Sequence, residues 1–116
     1  MKPALDVREI SSGEVTVLAL EGDITFGRGS AQLPQIVHKL IGESKINLLL
    51  DFDGVRFVDS SGIGVLVSIS TLVDRAGGKL KLANVSDGVK DLLRLTNLTA
   101  SFEVYDNRQQ ALASFQ

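Results

Sequence analysis

The chain has 116 residues, 44% of them hydrophobic, which suits one domain (1–116) with a real core and leaves too little chain for a second. Twelve Lys and Arg against fourteen Asp and Glu give a net charge of −2, so the basic footprint of a nucleic-acid binder is missing. The absence of cysteine excludes disulfides and thiolate metal sites, His38 alone cannot form a histidine cluster, and no apolar run nears the roughly 18 residues of a membrane span.

Residues 5–10 and 15–21 read as strands around the turn signal Ser11-Ser-Gly-Glu14, predicting an antiparallel hairpin. The second strand is apolar on both faces and belongs inside the sheet. A glycine-bearing loop, 22–29, follows. Ser30 is placed to cap a helix to about Ile41, with Leu33, Ile36, Val37, Leu40 and Ile41 on one face, Pro34 near its start and Gly42 as its stop. Residues 46–52 carry Leu48-Leu-Leu50, the continuous apolar run of a central parallel strand. A helix over 60–76 ends at Gly77-Gly78. Leu80, Leu82 and Val85 mark another strand, and Ser86 caps a helix that stops at Asn97. A short strand, 102–105, and a terminal helix, 109–115, complete the chain. The alternation predicts an α/β sandwich: a largely parallel mixed sheet with an N-terminal hairpin and about four helices.

Within this frame the segment Asp59-Ser-Ser-Gly-Ile-Gly64 is the most informative. It puts Ser60 and Ser61 at a helix N-terminus, where unpaired N–H groups and the positive end of the helix dipole favour an oxygen-rich anion such as phosphate. Gly62 and Gly64 each give up about 1 kcal/mol of helix propensity relative to Ala, which points to close approach by a neighbouring strand or by a partner protein. The plainer alternative is an ordinary N-cap with glycines used for packing.

Competing chemistries are less well supported. Residues 22–30 follow a strand and precede a helix, but Arg28 and Gly29 stand where a phosphate loop needs Lys and Ser or Thr. Gly62-Ile-Gly64 begins a dinucleotide fingerprint, yet Val67 holds the third glycine position. Asp59-Ser-Ser-Gly62 is not the Gly-x-Ser-x-Gly of a serine hydrolase, and His38 is the only histidine. Leu48-Leu-Leu-Asp51-Phe-Asp53-Gly54 resembles the first motif of haloacid-dehalogenase-type phosphatases, whose paired aspartates act as nucleophile and as acid and base. That family opens with this motif and needs a longer chain. A polar turn ending the core strand is the plain reading of Asp51 and Asp53.

Taken together, Leu20-Glu-Gly-Asp-Ile-Thr25, Leu49-Leu-Asp-Phe-Asp-Gly-Val55, Asp59-Ser-Ser-Gly-Ile-Gly64, Gly77-Gly-Lys-Leu-Lys-Leu82 and Leu92-Leu-Arg-Leu-Thr-Asn-Leu98 resemble a STAS domain. The resemblance is to the stand-alone bacterial anti-sigma-factor antagonists and spans nearly the whole chain. It implies a protein-binding module without catalysis, metal or cofactor, whose partner is both serine-protein kinase and anti-sigma factor. A serine phosphatase is the second implied partner. The first hydroxyl after the aspartate is the implied phosphoacceptor, hence Ser60, with Ser61 as the adjacent alternative. Asp59, Ser60, Ser61, Gly62, Ile63, Gly64, Asp23 and Thr25 make up the implied partner surface. Where many antagonists read Gly-Glu-Leu-Asp, this chain reads Gly22-Asp-Ile-Thr25, replacing an acid near the partner surface by Thr25. The remaining expectations are a cytoplasmic location, since residues 1–6 lack the apolar core of a signal peptide, and a monomer or weak homodimer. A scaffold role in another phospho-signalling assembly, with Ser60 only a cap, and a magnesium-dependent phosphatase using Asp51 and Asp53 are the alternatives.

Overall fold

Leu48, Leu49 and Leu50 are each fully buried, because β3 (Asn47–Val58) is the middle strand of a five-stranded sheet and is covered on both faces. The structure, a computed structural model, describes residues 5–25 and 28–116, with the side chains of residues 28–30 outside the description. The other elements are β1 (Leu5–Ser12), β2 (Val15–Ile24), α1 (Arg28–Gly42), α2 (Ser60–Arg75), β4 (Lys79–Ala83), α3 (Asp87–Leu95), β5 (Glu103–Tyr105) and α4 (Arg108–Ser114). A 3₁₀ turn, Thr99–Ser101, precedes β5.

The strands lie in chain order, β1 antiparallel to β2 and the remaining neighbours parallel. Alternation along the strands builds two cores. Leu48, Leu50 and Phe52 face the layer that includes Leu33 and Val37 of α1, Leu66 and Ile69 of α2, and Val89 and Leu93 of α3. On the opposite face Val15, Val17, Leu49 and Ala83 pack against Ala111, Leu112 and Phe115. The predicted hairpin, parallel sheet and four helices are therefore present. Ser86 caps α3 by accepting from the Val89 N–H, and Asn97 takes the left-handed conformation at φ 59°.

Several boundaries differ from the sequence reading; Val85, expected in a strand, lies beyond β4, which ends at Ala83. β2 continues through Ile24, so Gly22 and Asp23 belong to a strand; Phe26 and Gly27 of the expected loop lie outside the described residues. α1 begins at Arg28, which places Ser30 inside the helix and Pro34 in its interior, where it removes one backbone donor. Gly42 is still helical, and the left-handed residue after α1 is Ser44 at φ 65°. Finally, Asp51, Asp53 and Gly54 do not end β3. The strand runs on to Val58 with register shifts against β2, and Gly54 permits them: a Cβ there would lie 2.8 Å from the Leu20 carbonyl oxygen.

Candidate functional site

Ile24 and Val58, paired at the ends of β2 and β3, support the head of α2. Asp59 is extended (φ −96°, ψ −176°), and its Oδ1 accepts from the Gly62 N–H at 2.8 Å. Its own N–H donates to the Ile24 carbonyl at 3.3 Å, and its carbonyl accepts from the Ile63 N–H at 3.1 Å. Asp59 is thus the N-cap of α2. This corrects the alternative in which Ser60 does the capping: Ser60 and Ser61 are the first two helical residues, both exposed, and neither hydroxyl has a hydrogen-bond partner among the described residues. Their backbone N–H groups lie in the first turn, ahead of the Gly62 donor that the cap satisfies.

The two glycines of the motif answer different needs. A Cβ on Gly62 would stand 2.1 Å from the Ile24 carbonyl oxygen and 2.8 Å from Val58 Cγ1, so only glycine lets the helix sit this close to the end of β2. Gly64 is exposed, and a Cβ there would meet nothing within 4 Å. Among the described residues no contact accounts for it. Ile63, 3% exposed, points into the core under α2. Gly62 and Ile63 therefore hold the implied surface from beneath, while Ser60, Ser61 and Gly64 lie on it.

Asp23 and Thr25, both half-buried, sit at the end of β2 beside this turn. Asp23 pairs in register with Phe57, and its carboxylate lies 3.5 Å from Arg56. Phe57 is 56% exposed, a large apolar side chain open to solvent on the same rim. The sequence reading names neither Arg56 nor Phe57. β3 buries Val58 but leaves Arg56 and Phe57 exposed, and two adjacent apolar residues give no sequence signal of which one faces solvent.

Asp51 and Asp53 lie elsewhere, on the α4 side of the sheet. Asp51 is 4% exposed; its Oδ1 accepts from the Asp53 N–H at 3.0 Å and from Asn84 Nδ2 at 2.9 Å, and its Oδ2 from Arg108 Nε at 2.8 Å. Burial pushes its pKa up, but the bonds from Asn84, Asp53 and Arg108 together with the Arg108 charge outweigh that and hold the carboxyl below its usual range. A carboxylate with three donors is a structural node tying β3 to the β4 exit and to α4. Asp53 is exposed, and the described residues contain no group of three or more His, Cys, Asp or Glu able to hold a metal ion.

A family model for the STAS domain matches residues 6–111 of the sequence. The chain belongs to the STAS domain family. This STAS domain is 24% identical over 102 residues to the anti-sigma F factor antagonist of Paenibacillus polymyxa, covering 88% of this chain and 87% of that protein. Over 75 residues it is 33% identical to the anti-sigma-B factor antagonist of Bacillus subtilis, covering 63% and 66% of the two chains. Its fold superposes on the Bacillus cell fate determinant SpoIIAA in the phosphorylated form with a TM-score of 0.73 at 18% identity, over 97% of this chain and all of the other (100%). The described residues include no helix long and apolar enough to cross a membrane.

Proposed function

We propose that this STAS domain is an anti-sigma-factor antagonist, a binding module without catalysis of its own that is switched by phosphorylation of Ser60. The observation that carries the reading is that Asp59 completes the α2 cap by itself, leaving the exposed Ser60 hydroxyl unbonded. The relatives named as anti-sigma factor antagonists support the class of partner. In the unmodified state the rim of Ser60, Ser61, Gly64, Asp23 and Thr25 docks on an anti-sigma factor that is also a serine kinase, releasing the sigma factor. Phosphorylation adds about −1.5 to −2 charges and three acceptor oxygens next to Asp59. The helix N-terminus tolerates that charge within the chain. An interface closed over it does not, because bulk and like charge enter a surface fitted to a neutral hydroxyl. A serine phosphatase restores the binding form, and the cycle runs in the cytoplasm.

Incubation with the cognate kinase and ATP should add a single phosphate, located by peptide mass spectrometry in the peptide that carries Ser60. Ser60→Ala should abolish it. Label that persists in Ser60→Ala and vanishes in Ser61→Ala would move the acceptor to the neighbouring serine.

A further inference from the structure

β1 is an eight-residue strand at the edge of the sheet, bonded to β2 on one side only, whereas the opposite edge is the three-residue β5. Asp6 and Arg8 point to the α4 side of the sheet, where both border a cleft of about 240 Å³ with Ala19, Glu21 and Asp53. Val7 points the other way and packs against the main core. Among the described residues no ion pair involves Asp6 or Arg8.

An edge strand offers a row of backbone donors and acceptors to another strand. If the added strand is antiparallel and related by a two-fold axis perpendicular to the sheet, each residue faces one on the same face of the sheet, so the axis passes through a residue. An axis through Asp6 opposes Asp6 to Asp6, one through Arg8 opposes Arg8 to Arg8, and one through Glu9 opposes Glu9 to Glu9. Axes through Ile10 or Ser11 oppose no unlike charges within β1 and run into the hairpin turn. The axis through Val7 alone matches charges: Asp6 faces Arg8 of the second copy, Arg8 faces its Asp6, and Val7 meets Val7 on the other side.

We infer that β1 is a self-complementary edge through which two copies of this chain associate, joining their sheets about a two-fold axis at Val7. The contact is isologous, and its two unlike cross-strand pairs fix the register against slipped alternatives. The head of α2 follows β3, which β2 separates from this edge, so the dimer leaves Ser60 outside the contact. The proposal is independent of the phosphorylation reading, and its test uses neither kinase nor anti-sigma factor.

Sedimentation equilibrium of the full chain, from micromolar to millimolar, should show reversible dimerisation, with amide shifts on dilution centred on β1. Arg8→Asp turns both unlike pairs into like ones and should weaken the dimer about tenfold or more. Asp6→Arg, which creates like pairs of the opposite sign, should do the same. The double variant Asp6→Arg with Arg8→Asp reinstates unlike pairs and should recover the dimer, and circular-dichroism melts confirm that each variant is folded. A chain that stays monomeric throughout the range, a dimer indifferent to both single variants, or a charge-swapped double variant that stays monomeric would overturn the assignment.

Discussion

Which atom caps α2 decides how the serines beside it behave. Since Asp59 Oδ1 satisfies the Gly62 N–H, Asp59→Ala should cost about 0.5–2 kcal/mol of stability. Ser60→Ala removes an exposed hydroxyl without a partner and should stay within about 0.5 kcal/mol of the parent. Urea denaturation of the two variants measures the difference, and a larger loss for Ser60→Ala would mean that the serine is the cap after all. The glycines give a second contrast in the same turn. Gly62→Ala drives a methyl into the Ile24 carbonyl and the Val58 side chain and should destabilise by roughly 1–3 kcal/mol. Gly64→Ala, placed in open space on a helix, should instead stabilise by about 1 kcal/mol. Thermal melts that move in the same direction for both would contradict this division of labour.

α4 is a seven-residue helix, too short to persist unaided, and two buried side chains of opposite charge hold its ends. Asp51 takes Arg108 in its first turn, while Lys81 Nζ donates to the Ser114 carbonyl and hydroxyl, both at 2.9 Å, in its last. The signs suit the dipole: a carboxylate near the N-terminus and an ammonium at the C-terminus. The Lys81 ammonium also lies 4.6 Å from the centre of the Phe115 ring. Because the Asp51 carboxyl is held below its ordinary value when folded, it contributes stability above the unfolded-state value of about 3.9, and that contribution is lost as the pH falls through the lower folded value. Asp51→Asn should therefore flatten the acid limb of the stability curve, and hydrogen exchange should show protection lost in residues 108–115 before α2. An unchanged acid limb would remove Asp51 from the account. None of this was legible in sequence, for a physical reason: Asn84 and Arg108 lie 33 and 57 positions from Asp51, and nothing local distinguishes a buried, fully bonded aspartate from a polar turn or a nucleophile. Lys81 was hidden likewise, since alternation marks its strand without saying that a terminal helix covers that face.

For the whole molecule, periodicity was sufficient where burial is two-sided or one-sided in a regular way. The leucine run of β3, the hairpin, and the stops at Gly77 and Asn97 all stand where the sequence put them. It failed at Gly22, which takes a φ of 112° within β2 instead of ending it, and at Gly54, where glycine allows β2 to approach closely and the register to shift. The candidate site was legible as a motif but not as a geometry. Sequence placed the serines at the head of a helix; the structure shows which side chain is occupied in the cap and which is spare. The central claim is that charge at Ser60, rather than any loss of folding, switches the domain off. Ser60→Asp places an acid in the first turn, where the helix dipole accepts it, so its fold should match that of the parent. Isothermal titration calorimetry against the cognate anti-sigma factor, with Ser60→Ala alongside Ser60→Asp, tests the claim most directly. The account predicts affinity close to the parent for the alanine variant and at least a tenfold loss, about 1.4 kcal/mol, for the aspartate variant; equal affinities for the two folded variants would contradict it.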